Sequence, residues 1–255
     1  MKKAILFISA VLALTSCDWF LLDNYEQPNA QVSGAFIDTK TGESVQQECH
    51  FTTGFGSRVS TITDGYMAVT CLGWDYEKAE NWLIKYDGTY NQTKTFDGQY
   101  RFDAKEDNFY PVTKDNVTIK KGANVLDFDV TPYCRIINPT FAIEGNFIVA
   151  KFAVELGDAS KDAVVTNAQL CCYPDRYVGI YLNNCGSDPL SKTTEVVADG
   201  KTINTLKIDM TNDLNYAQFK YTNRTHYCRL AVLAKSKTVN PSNHYNYSET
   251  VSLVH

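Results

Sequence analysis

The chain has 255 residues, with 24 basic against 29 acidic side chains and a formal net charge of −5. No basic stripe or cluster occurs after Lys3, which argues against nucleic acid and against electrostatic adhesion to anionic lipid. Aromatic residues make up 13% of the chain and tyrosine alone accounts for 16 positions, a load that suits β-sheets and surfaces that stack on sugars or peptides.

Met1-Lys2-Lys3 is a short basic start, and Ala4 to Leu14 is apolar apart from Ser9. That is the length of a signal-peptide h-region and too short to span a bilayer. Leu14-Thr15-Ser16-Cys17 follows, and it resembles the lipobox of bacterial lipoproteins. Small residues let a signal peptidase approach the extended backbone, and the Cys17 thiol would carry the lipid. The expectation is a signal peptide over 1–16 and a lipidated tether over 17–28, with no transmembrane helix. Two or three acyl chains give stable anchoring where one does not. Removing Lys2 and Lys3 leaves 22 basic against 29 acidic residues, a net charge of −7. Asp18, Asp23 and Glu26 follow the cysteine closely, which resembles the surface-export signal of Bacteroidetes lipoproteins.

From Gln31 the chain alternates as strands do. Gln31 to Asp38 reads as a strand, Thr39 to Glu43 as a turn, Tyr66 to Leu72 as a strand. Gly73 to Asn81 is a polar excursion before a returning strand at Trp82–Tyr86, and Asp87-Gly88 is the tightest hairpin signal in the chain. With Val45 to Phe51, Phe96 to Phe102, Val117 to Ile119 and Val125 to Val130 added, there are about seven strands in roughly 100 residues, the arithmetic of a sandwich. Pro132, lacking an amide hydrogen, ends the ladder. Beyond it, Phe147–Leu156, Ala163–Tyr173, Val178–Leu182, Leu206–Met210, Gln218–Tyr221, Tyr227–Ala234 and Ser248–Leu253 read as a second sandwich. The expected division is 29–131 and 132–255, all-β, each half with its own core.

Val32-Ser33-Gly34, Asp38, Thr41-Gly42-Glu43, Asp87 to Tyr90, Phe96, Gly98, Tyr100 and Thr131 to Tyr133 carry a resemblance. In their order they look like the prealbumin-like or carboxypeptidase-regulatory β-sandwich. The mature chain as a whole resembles a Bacteroidetes family of two-domain lipoproteins of unknown function, associated with starch-utilisation-type glycan uptake systems. The resemblance implies a prealbumin-like first domain and a fibronectin- or immunoglobulin-like second one. Cys134 follows the closing Tyr133 where the family has a basic or apolar residue, so no role carries over to that position.

Once Cys17 is set aside, Cys49, Cys71, Cys134, Cys171, Cys172, Cys185 and Cys228 remain. They sit mostly in apolar runs, where free thiols behave as small hydrophobes. Cys172–Cys185, thirteen residues apart, is the pair best placed to bridge. No C-x-x-C spacing, G-x-S-x-G elbow, H-E-x-x-H or phosphate-cradling loop is present, so neither a metal nor a cofactor is expected. His50, His226, His244 and His255 have no catalytic partner close in sequence. Asp127 and Asp129 share a strand face about 7 Å apart, but a solvated face explains them better than a hydrolytic pair.

Binding remains, and the excursion carrying Trp74, Asp75, Tyr76, Glu80, Asn81 and Trp82 is the first candidate. Aromatic faces pack on the C–H surface of a pyranose while carboxylates and amides bond its hydroxyls. Trp82 also begins a strand and reads equally as core. Tyr173 to Tyr177 with Tyr181, and His244, Tyr245 and Tyr247, are further aromatic clusters. The residues lead to a non-enzymatic, lipid-anchored protein, and the resemblance implies an outer-membrane protein facing the cell surface, with accessory glycan capture as its role. The alternative is a structural or protein-interaction subunit of a transporter or adhesion assembly.

Overall fold

The structure, a computed structural model, describes residues 26–48, 65–73, 77–105, 107–240 and 243–255. The chain is all-β, built from four sheets packed in pairs. In the first sandwich, β1 (Ala30–Asp38) lies between β4 (Thr89–Thr95), antiparallel to it, and β7 (Gly122–Val125), parallel to it. β8 (Phe128–Val130) pairs with the far end of β1. The facing sheet runs β3 (Ala79–Leu83), β2 (Tyr66–Cys71), β5 (Gly98–Ala104), β6 (Val112–Ile119), all antiparallel.

Period-two alternation places Met67 and Val69 of β2, and Tyr100, Phe102 and Ala104 of β5, on the inner face. Phe36 of β1 stacks on Phe128 at 4.9 Å and on Phe109 at 5.0 Å between ring centroids. Gly34 is required by a close approach: a Cβ there would stand 2.0 Å from the Leu126 carbonyl oxygen. The same oxygen accepts the Tyr90 hydroxyl at 2.6 Å.

Asp87-Gly88 does close a tight turn: the Gly88 amide donates to the Lys85 carbonyl at 2.9 Å, the Lys85 amide to the Thr89 carbonyl at 2.7 Å, and Ile84 bridges Tyr90 antiparallel. Beyond that bridge β3 and β4 diverge into opposite sheets. Gly88 has φ +77° and no room for a Cβ, which would meet the Val45 carbonyl oxygen at 2.4 Å. The turn signal was genuine, but the local pattern does not say which sheet the next strand joins.

The chain passes to the second sandwich between β8 and β9 (Cys134–Glu144). One sheet is β9, β10 (Phe147–Leu156) and β13 (Asn204–Asp209). The other is β12 (Lys192–Thr193), β11 (Val164–Tyr173) and β14 (Thr225–Lys235), with β15 (Asn246–Tyr247) and β16 (Val251–Val254) both on the far edge of β14. Ile148, Ala150, Phe152 and Val154 of β10 meet Leu170 and Cys172 of β11 and Leu230 and Val232 of β14 between the sheets. β14 is buried on both faces, because a second cluster of Cys171, Val178, Ala231 and Tyr247 packs against its outer side.

Two strand expectations are corrected. Val178–Leu182 is an irregular segment lying across the outer face of β11 and β14, and residues 216–219 form a helical turn, α1 (Tyr216–Phe219), rather than part of a strand. Apolar residues there serve packing without a partner strand to pair with. Cys71, Cys134, Cys171, Cys172, Cys185 and Cys228 are all free thiols, the last five buried. Cys172 and Cys185, the pair expected to bridge, instead both accept from Gln218 Nε2 at 3.3 and 3.4 Å.

The two sandwiches are joined by buried polar contacts. Arg229 is 0% exposed and donates to the carbonyls of Ser248, Gln47, Val178 and Tyr86 and to Gln46 Oε1. Asn246 Nδ2 donates to the Asn108 carbonyl at 2.7 Å, and Asn108 Nδ2 to the Tyr245 carbonyl at 2.9 Å. A desolvated guanidinium needs its donors satisfied, and here both halves of the chain supply the acceptors.

Candidate functional site

Of the predicted platform, Trp74, Asp75 and Tyr76 lie outside the described residues, as does Cys17. Trp82 is corrected: it is 4% exposed, on the inner face of β3, against Tyr100 at 6.4 Å and Phe102 at 5.6 Å. Its indole Nε1 donates to Glu80 Oε2 at 3.4 Å, so the ring has no face open to a ligand. Glu80 and Asn81 are exposed. Because side chains alternate along a strand, Asn81 points away from the face that buries Trp82, and the residues expected together are divided between core and solvent.

Asp127 and Asp129 are both exposed, as on a solvated face. Asp127 Oδ1 accepts the Ala35 amide at 2.9 Å, satisfying a backbone donor of β1 where β7 gives way to β8. His244 is buried, and burial pushes its imidazole down to about 4. His226 is buried beside Phe219, and burial lowers it as well.

The outer face of the second sandwich carries a different arrangement. Along β11, Ala168 and Leu170 point into the core, which sends Asn167 and Gln169 to the outer side. β12 pairs with β11 at Ala168–Thr193 and Gln169–Lys192, bringing Lys192, Thr193, Thr194 and Glu195 alongside. Tyr245, entering β15, closes the third side, and Asn167 Nδ2 reaches its hydroxyl at 3.3 Å. Pro189 completes the wall of a cleft of about 570 Å³. Asp188 holds that corner by accepting from the Leu190 and Asp209 amides and from Asn215 Nδ2.

Chemically, the cleft offers one half-buried phenol ring, two carboxamides, two threonine hydroxyls, an ammonium and a carboxylate. Lys192 Nζ already donates to the Gly186 carbonyl at 3.2 Å. Paired donors and acceptors around a single aromatic face suit a polyhydroxylated ligand. The set contains no activated nucleophile beside a base. Tyr245 was legible from the sequence as part of an aromatic cluster. Asn167 and Gln169 were not singled out, although amides two apart within an apolar strand were the available signal.

Tyr245 lies 6.4 Å from Tyr247, whose hydroxyl donates to Glu48 in a short contact. Glu48 Oε2 also accepts the Ile180 amide at 3.1 Å. Burial, with Glu48 and Tyr245 nearby, pushes the Tyr181 hydroxyl above its usual range.

A second concavity, about 660 Å³, runs between the sandwiches. Glu43, Asp87 and Glu249 stand around it, with Ile137, Pro139, Phe141 and Val251 as its apolar part. Arg135 is also present but is held by Asp38.

No family model matches this chain, and no curated protein matches it. Solved structures do. The chain is similar to a candidate carbohydrate binding protein from Bacteroides uniformis, at 25% identity over 89% of this chain and 100% of that one, with a TM-score of 0.76. It is similar in fold to DUF3823 family proteins from Bacteroides ovatus, at 20% identity over 88% and 98% of the two chains and a TM-score of 0.66, and from Parabacteroides merdae, at 20% identity over 89% and 100% and a TM-score of 0.66. The likeness spans both sandwiches and fits a Bacteroidetes family of unknown function.

Proposed function

We propose that the protein captures carbohydrate at the Tyr245 cleft without turning it over, tethered to the outer membrane by lipid on Cys17. The observation that carries the reading is the cleft itself, in which Tyr245 stands among Asn167, Gln169, Thr193 and Thr194. The similar Bacteroides uniformis protein, named as a candidate carbohydrate binding protein, supports the same ligand class. The lipobox-like Leu14 to Cys17 supports the tether, and the resemblance to lipoproteins of glycan uptake systems supports an accessory role in such a system. The test is affinity electrophoresis of the full chain in gels loaded separately with starch, xylan, pectin and mucin. Retardation in at least one gel, lost in Tyr245→Ala at unchanged thermal midpoint, is expected. Unretarded migration in every gel would overturn the reading.

The second reading, a protein-interaction subunit, is favoured by the groove between the sandwiches. Three carboxylates beside Ile137, Pro139 and Phe141 suit a basic, partly apolar segment of a partner. Charge reversal at Glu43 and Glu249 that releases a co-purifying membrane subunit, with carbohydrate retention unaffected, would support it.

A further inference from the structure

We infer that the carbohydrate surface is composite: Tyr245, Tyr181, Tyr177 and Tyr86 form one aromatic strip, crossing from the second sandwich to the first, that takes an extended oligosaccharide. The inference rests on the carbohydrate reading of the Tyr245 cleft and deepens it from a ligand class to a ligand length.

Two of these rings are open to solvent, Tyr177 at 41% and Tyr181 at 55% exposure, and the other two are half-buried. Tyr86, on the turn after β3, meets Tyr177 edge to face at 5.2 Å and 83°, although the two belong to different sandwiches. Arg176 lies over the Tyr177 ring at 4.9 Å and donates to its hydroxyl at 2.8 Å, which further restrains that ring. A ring held in place before a ligand arrives loses little freedom on binding.

One buried network sits beneath the strip. Arg229 stacks over Tyr247 at 4.5 Å and donates to the Tyr86 carbonyl at 3.2 Å. Tyr247 bonds Glu48, which accepts the amide of Ile180, next to Tyr181. The same contacts that dock the sandwiches therefore set the backbone positions of Tyr86 and of the segment bearing Tyr177 and Tyr181. A rigid, polar junction is what a binding surface shared by two domains needs. Tyrosines offer a stacking face and a hydroxyl together, which matches the alternating C–H and O–H surfaces of linked pyranoses.

The experiment uses the full chain, purified in detergent, on an array printed with length series from disaccharide to octasaccharide of starch, xylan, pectin and mucin glycans. Affinity should rise about fivefold or more between disaccharide and hexasaccharide of the retained series. Tyr177→Ala, at an exposed site and without loss of thermal midpoint, should lower hexasaccharide affinity about three- to tenfold while leaving disaccharide affinity unchanged. Tyr245→Ala should weaken every length. Equal affinity for all lengths, or a Tyr177→Ala variant that matches the parent on the hexasaccharide, would overturn the strip while the Tyr245 cleft stands. Binding to no printed sugar would remove the carbohydrate reading, and the strip with it.

Discussion

Arg135 of β9 and Asp38 of β1 meet in a two-pronged ion pair, Nε to Oδ2 at 2.6 Å and Nη2 to Oδ1 at 2.7 Å, with both side chains buried. The pair links the first strand of one sandwich to the first strand of the other, and Arg135 Nη1 also donates to the Gly157 carbonyl at 3.0 Å. Burial alone would raise the Asp38 carboxyl. The Arg135 hydrogen bonds and charge, with the Lys40 amide, outweigh it and hold the group below its usual range. A carboxyl depressed in the folded state contributes stability above its unfolded value near 4, lost as pH falls through the lower folded one. Removing one partner leaves the other charge buried, at a cost of about 3–5 kcal/mol. Asp38→Ala should lose that much in chemical denaturation at pH 7, and the difference from wild type should shrink in acid. An equal difference at pH 7 and pH 3 would contradict the ion-pair assignment.

His244 acts in the same pH direction over a different window. Its folded value is pushed down to about 4 by burial, against an unfolded value near 6.5. Below 6.5 the unfolded chain takes the proton first, so stability should fall between about pH 6.5 and pH 4, on the order of 3 kcal/mol in total. Thermal midpoints of wild type and His244→Gln across that range check this, with a flatter profile expected for the variant.

Arg229 should make the sandwiches unfold together. Its donors reach carbonyls on both, so separating the halves strips a guanidinium and several acceptors of their partners. Calorimetry of the wild type should show a single transition. Arg229→Met should be at least about 3 kcal/mol less stable. Two resolved transitions in the wild type would mean the junction is weak.

Trp82→Ala is a test of core against surface. A buried tryptophan truncated to alanine costs about 3–5 kcal/mol of folding stability, and the contacts with Tyr100 and Phe102 put Trp82 in that class. The expected result is a large fall in thermal midpoint, with carbohydrate retention unchanged below that midpoint. Lost retention at full stability would restore Trp82 to the ligand surface.

Cys17→Ala tests the tether. No other residue of the tether offers a thiol, so the variant should accumulate as an uncleaved precursor and leave the outer-membrane fraction. Membrane fractionation with metabolic lipid labelling gives the measurement.

The all-β class and the two cores could be read from the sequence, because the signals involved are local. Alternation in Tyr66–Cys71, Gly98–Ala104 and Phe147–Leu156 states which side chains face inward whatever the strand's neighbours are. Gly88 likewise announces a turn. The sheet that β4 joins beyond Asp87-Gly88 was not legible, since the local turn pairs only Ile84 with Tyr90 and the rest of the strand's pairing is long-range. Trp82 looked the same as core or platform, because a tryptophan at a strand start is compatible with either face and only the register decides. The cleft required three segments distant in sequence, Asn167–Gln169, Lys192–Glu195 and Tyr245, to be gathered by β11, β12 and β15. The strip required more, since Tyr86 and Tyr177 come from different sandwiches, docked by buried polar contacts that include Arg229, Asn108–Asn246 and Arg135–Asp38. Local chemistry names the strands; long-range hydrogen bonding among buried polar groups chooses which aromatic rings stand side by side.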